Sequence, residues 1–125
     1  LHCSATGKAV LAFLSKREQE RIFKNLELTR YTDNTFTDIE KLRRELEKIR
    51  KTGISYCTQE YHKGINAVAV PVFNNNNRVL GSIGMVGTSV DLDEKQMEEY
   101  GGLLLSACIE ITERLGGTFP KELTT

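Results

Sequence analysis

The sequence predicts an α+β domain in which three helices precede the three strands of an antiparallel sheet and a long helix closes the chain. Three observations carry that expectation. Residues 4–53 hold successive helix-start signals, each followed by apolar residues at steps of three and four. After Gly53 the period changes to short apolar runs separated by Gly64 and by Asn74-Asn75-Asn76-Asn77. From Asp91 a helical stripe returns and runs to Gly116-Gly117.

Ser4 caps the first helix, where Ala9, Val10, Ala12, Phe13 and Leu14 are dense enough to press it into a core. Ser15-Lys16-Arg17-Glu18 is a capping box: the Ser15 oxygen accepts the Glu18 amide, and the Glu18 carboxylate returns to the Ser15 amide. The helix it starts buries Ile22, Phe23 and Leu26. The box recurs at Thr37-Asp38-Ile39-Glu40, ahead of Ile39, Leu42, Leu46 and Ile49. The other face pairs Glu40 with Arg44 and Glu47 with Lys51, the pattern of a solvated helix surface. Gly53 closes this helix at a left-handed cap. Residues 54–59 then form a short strand, and residues 66–73 (NAVAVPVF) a strand buried on both sides, with Pro71 marking a bulge or an unpaired amide. The four asparagines turn the chain into a third strand, residues 78–87 (RVLGSIGMVG). Asp91-Leu92-Asp93-Glu94 caps the last helix, which carries Met97, Leu104, Cys108, Ile111 and Leu115 on one stripe. Gly101-Gly102 inside it predicts close contact between the helix and its neighbour. Residues 1–117 thus make one domain, and residues 118–125 a frayed tail.

Composition narrows the function. A 125-residue chain with 39% hydrophobic and 27% charged residues fits one folded domain. A formal charge of +0, without a basic run, gives this chain no nucleic-acid-binding surface of its own. No apolar run is long enough to span a bilayer, so no membrane partner is expected. Three cysteines without a C-x-x-C pair favour free thiols in a reducing compartment, which places the protein in the cytoplasm.

Several stretches invite a chemical reading. Ser4-Ala5-Thr6-Gly7-Lys8 looks like half a phosphate loop, but His2 stands where the first glycine belongs and Ala9 where the magnesium-binding hydroxyl belongs. A cysteine-dependent enzyme would have to use Cys3 or Cys57 with His2 or His62, since Cys108 lies on the apolar stripe of the last helix. Cys57, Glu60 and His62 lack metal-ligand spacing, and neither a metal nor a cofactor is expected. In CTQEYHKG the polar residues are either a solvated connection or a loop in which Glu60 reaches back to fix amides at a pocket rim. On the third strand Gly84 shares a face with Ser82 and Val86, so a close helix or a small molecule must fill its missing side chain.

The residues Gly53, Cys57, Glu60, Ala67, Val68, Ala69, Val72, Phe73 and Asn74 fill the pattern G-x-x-x-[Asp or Ser]-x-x-E-x6-[small]-[apolar]-[small]-x-x-[apolar]-[aromatic]-[Asp or Asn], with Cys57 departing from the acidic or hydroxyl position. Together with LHCSATGKAVLA, the SIGMVG strand and the closing ERLGG, this resembles the effector-binding domain of IclR-type transcription regulators. The resemblance implies a GAF-like, profilin-like antiparallel sheet flanked by helices, with that domain's first helix and strand pair absent from this chain. It implies a sensor of a small organic acid or aromatic effector, acting as a homodimer or homotetramer that represses or activates operons, with DNA bound only through an amino-terminal winged helix-turn-helix that this chain lacks. By the same resemblance the effector-binding residues are Ala5, Thr6 and Gly7 at the first helix start, the cap Ser4, Cys57, the carboxylate Glu60, Ala67, Gly84 and Val86.

At the helix start the resemblance meets the physics. Free amides of Ala5, Thr6 and Gly7, with the helix's positive end and the Thr6 hydroxyl, are suited to hold a carboxylate. Lys8, one turn in, is expected to snorkel to the surface or to form a salt bridge. Cys57, Gly84 and Val86, standing where the family has polar groups, point to an effector less polar or bulkier than glyoxylate or pyruvate. The rival readings are an oligomerisation module without a ligand and a cysteine-dependent enzyme of similar fold.

Overall fold

The computed structural model describes residues 1–120. Its elements run α1 (Ala5–Ala12), α2 (Lys16–Asn25), α3 (Ile39–Thr52), β1 (Ser55–Thr58), β2 (Ile65–Phe73), β3 (Val79–Thr88) and α4 (Glu94–Arg114). The strands form one antiparallel sheet in the order β1-β2-β3. The expected α+β class and element order are both observed.

The two faces of the sheet hold different helices. Cys57, Ala67 and Ala69 take one face, where Ala5 and Ala9 of α1 pack on them. Val68, Val70 and Val72 take the other, beneath Met97 and Cys108 of α4. On the far side of α1, Leu11 and Ala12 join Phe23 of α2 and Leu42, Leu46 and Ile49 of α3. The small residues on the α1 side let that helix lie close to the sheet, and this proximity builds the site below.

The turn and cap chemistry departs from expectation in instructive places. The asparagine turn works through its side chains: the Asn74 carbonyl oxygen Oδ1 accepts the amides of Asn76 and Arg78, and Asn77 takes a left-handed φ of 59°. The ladder shifts between Val72 and Phe73, just past Pro71. There the Phe73 amide donates instead to the buried Thr112 hydroxyl of α4 at 3.1 Å. The α2 capping box is formed as expected. For α3 the cap is Asp38 rather than Thr37, its carboxylate accepting the Glu40 amide at 2.9 Å; a charge complements the helix's positive end better than a hydroxyl. For α4 the cap is Asp93, within the stretch expected to supply it, and Leu92 is buried with Val68 and Met97 and staples the turn from below.

Side-chain pairing also differs. Glu40 pairs with Arg43 rather than Arg44, at 3.4 Å, because Arg43 is drawn toward Glu20 of α2. Among the described residues Glu47 and Lys51 form no ion pair. Of the α4 stripe, Met97 and Cys108 are buried, whereas Leu115 is exposed. Gly101 makes the close contact expected of it: a Cβ there would stand 3.0 Å from Ile54 Cγ2 and 3.3 Å from the Tyr56 hydroxyl. Gly102 faces open space. The stretch expected to fray begins in the core, with Phe119 buried edge-on to Phe73 at 5.1 Å between ring centroids. Residues 121–125 of that stretch lie outside the described residues.

Candidate effector site

Ser4 is extended and its hydroxyl accepts the Gly7 amide at 3.0 Å, while its carbonyl accepts the Lys8 amide at 3.0 Å. Two amides, those of Ala5 and Thr6, therefore remain without an acceptor among the described residues. The third, Gly7, is spent on the cap, since an N-cap hydroxyl takes the amide three residues on. Ser4 itself orders the turn.

Beneath that turn the sheet brings the other candidates into register. Cys57, Ala67 and Val86 form one cross-strand row, and Ala69 and Gly84 pair in the next. A Cβ on Gly84 would lie 2.9 Å from Thr6 Cγ2 and 3.0 Å from the Val68 carbonyl oxygen. The space left by this glycine is filled by α1. Ser82 donates its hydroxyl to the Thr6 carbonyl at 2.9 Å and ties the first turn of α1 to β3. Thr6 and Val86 are exposed, Val86 by 73%, so the assembled surface opens outward between α1 and β3.

The thiols here are protonated. Cys57 donates its S–H to the Cys3 carbonyl at 3.2 Å, and burial, reinforced by the Glu60 carboxylate, pushes its pKa up. Burial also raises Cys3, and it pushes Cys108 up to about 11. A nucleophilic cysteine needs the opposite shift. Cys57 thus presents a small, neutral, weakly polar wall in place of an acid or hydroxyl.

Glu60 and Lys8 belong to a different construction. Lys8 neither snorkels nor faces the helix start: it is fully buried, with Nζ donating to Glu45 at 2.9 Å, to Glu60 at 3.0 Å and to the Tyr56 carbonyl at 2.7 Å. The salt-bridge half of the expectation is what the structure contains. Glu60 accepts the Thr58 amide at 3.2 Å, so it does reach back to fix an amide, at the end of β1. Burial raises its pKa, and the Lys8 ammonium opposes the rise. With Asn34 donating to the Thr58 carbonyl at 3.0 Å and the Thr52 hydroxyl on the amide and carbonyl of Ile54, side chains occupy most of the outward backbone groups along the β1 edge. His62 and Lys63 are exposed, the solvated connection.

Of the nine candidates, Cys57, Ala67, Gly84 and Val86 lie on the sheet face that α1 covers, Ser4, Ala5, Thr6 and Gly7 form the start of that helix, with Ala5 and Cys57 buried, and Glu60 turns to Lys8 and the β1 edge. A cleft of about 950 Å³ lies elsewhere, between α3, β1 and the start of α4, and Glu60 is the single candidate that lines it. Sequence reasoning missed Ser82, although strand alternation puts it on the Gly84 face. It also missed Glu45 and Asn34, whose roles come from packing across 37 and 24 residues of chain and left no local signal.

The family description "Bacterial transcriptional regulator IclR C-terminal" matches residues 1–113. This chain belongs to the IclR family. The match places it at the family's C-terminal, effector-binding domain. The chain is 32% identical over 123 residues to the HTH-type transcriptional regulator RhmR of Escherichia coli, covering 98% of this chain and 47% of that protein. It is 27% identical over 117 residues to the transcriptional repressor IclR of Escherichia coli, covering 94% of this chain and 43% of that one. The crystal structure of the Thermotoga maritima IclR superimposes with a TM-score of 0.87 at 36% identity, over 92% of this chain and 47% of that chain. This IclR domain thus spans about half the length of the relatives it matches.

Proposed function

We propose that this IclR domain senses a carboxylate effector at the start of α1, on the surface made by Ala5, Thr6, Cys57, Ala67, Gly84 and Val86. The observation that carries the reading is the pair of unclaimed amides at Ala5 and Thr6, held against the sheet by the Ser82 hydroxyl. They and the positive end of α1 supply the carboxylate's donors, and the Thr6 hydroxyl adds one. Gly7 and Ser4 shape the turn, while Glu60 supports the site through Lys8 and β1. The remaining wall is a neutral thiol, an alanine and an exposed valine, which favours an apolar or aromatic body over a two- or three-carbon keto acid. Full-length protein in the cytoplasm binds DNA through an amino-terminal winged helix-turn-helix, and effector binding shifts a dimer or tetramer between two arrangements of those heads. A ligand moves that equilibrium only by its differential affinity for the two.

A thermal-shift screen of carboxylic and aromatic acids on the full-length protein, followed by Thr6→Val on each hit, tests this reading. The expected result is a stabilising aromatic or branched acid whose effect weakens in the variant. Saturation by millimolar pyruvate in calorimetry contradicts the apolar-effector reading.

A further inference from the structure

We propose that the cleft between α3, the outer edge of β1 and the start of α4 is a second binding site, for an organic cation carrying a primary amine. The cleft holds about 950 Å³, enough for a small ligand, and its floor includes the backbone edge of β1 rather than the α1 start.

The decisive group is Asn66. It is 4% exposed and lines the cleft. Its Nδ2 donates to the Leu92 carbonyl at 2.9 Å, which fixes the orientation of the amide and leaves Oδ1 as an acceptor. No donor among the described residues reaches that oxygen. A buried acceptor without a donor is costly, and a ligand that brings an N–H relieves it. Glu60 also lines the cleft, but its Oε1 is already ion-paired with Lys8 Nζ at 2.9 Å, so Asn66 Oδ1 alone lacks a partner there among the described residues.

The charge of the cleft has the same sense. Asp93 caps α4 and Glu94 sits in its first turn, so both are explained by the helix's positive end. Glu98, one turn on, has no ion-pair partner among the described residues. Behind the cleft wall a single ammonium, Lys8, serves two carboxylates, Glu45 and Glu60, and leaves negative charge in excess. Lys48 is the one cation on the lining. Ile54, Met97 and Phe36 supply apolar wall for methylene groups. A donor for the Asn66 oxygen, positive charge for surplus carboxylates and a methylene stem are together the chemistry of an alkyl diamine.

Calorimetric titration of the full-length protein with 1,4-diaminobutane, against 1,4-butanediol at equal ionic strength, tests the site. Saturable binding of the diamine but not the diol is expected, weakened about tenfold by Glu98→Gln or Asn66→Ala and unchanged by Thr6→Val. Glu98 is exposed, so its variant carries the test if Asn66→Ala does not fold. The proposal is overturned by an absence of saturable heat, by equal binding of the diol, or by parental affinity in Glu98→Gln and in any folded Asn66→Ala.

Discussion

The two edges of this three-stranded sheet are built on opposite principles. Along the β1 edge most outward backbone groups are taken by side chains: Thr52 on Ile54, Lys8 on the Tyr56 carbonyl, and Glu60 and Asn34 on Thr58. On β3 the outer edge has no second neighbour among the described residues, and Leu80, Ile83, Met85 and Val86 are exposed. A plugged edge is closed to further pairing, whereas a bare apolar edge is a template for another strand. The difference separates two uses of charge. The conspicuous charged pair, Lys8 and Glu60, finishes the sheet edge, and the proposed effector surface is left to backbone amides and small neutral side chains.

Breaking the β1 plug has the largest effect. Lys8→Met leaves the buried Glu60 and the half-buried Glu45 without their ammonium and is expected to cost about 3–5 kcal/mol in denaturant unfolding. Adding Glu45→Gln and Glu60→Gln removes the stranded charge and recovers much of that loss. An isolated Lys8→Met that unfolds like the parent contradicts the plug.

The α1 contact with β3 is next. Gly84→Ala places a methyl 2.9 Å from Thr6 Cγ2 and is expected to cost about 1–3 kcal/mol, as overpacking does. Thr6→Ser deletes the opposing methyl, so the double variant is more stable than Gly84→Ala alone. Equal stability of single and double variants shows that the Val68 carbonyl, not Thr6, sets the limit.

The pH dependence of Glu60 sharpens the contrast more gently. Its pKa is raised by burial above the ordinary 4.5. The folded state therefore binds this proton more tightly than the unfolded chain does, and the resulting stability is full below 4.5 and lost as pH rises through the raised value. The thermal midpoint of the wild type relative to Glu60→Gln should fall as the pH is raised from about 4. A difference that grows with pH reverses the sign.

The β3 edge gives the smallest change in stability and a clear change in association. The isolated domain is expected to self-associate in light scattering. Leu80→Lys should abolish that while moving stability by no more than about 0.5 kcal/mol. A parent domain that is monomeric at high concentration, and as stable as the full-length protein, counts against an available edge.

How much of this was legible in the sequence follows the range of the interactions. Ser15 with Glu18, Gly53 and the four asparagines are local devices, and each was readable from residues within one turn. The cap of α3 was placed one residue early, at Thr37, because the charge of Asp38 decided between two acceptable caps in a row. The register that sets Cys57, Ala67 and Val86 in one cross-strand row was legible from strand alternation. The β1 plug was not, since Lys8, Asn34 and Glu45 meet their partners across long stretches of chain.

Amide-resolved NMR of the protein with the acid that gives the largest thermal shift tests the sensor reading most directly. The account predicts that the Ala5 and Thr6 amides move downfield and gain exchange protection, while Thr58 at the plugged edge is unchanged. Protection at Thr58 with Ala5 and Thr6 unmoved, or an acid panel that produces no shift at all, contradicts it.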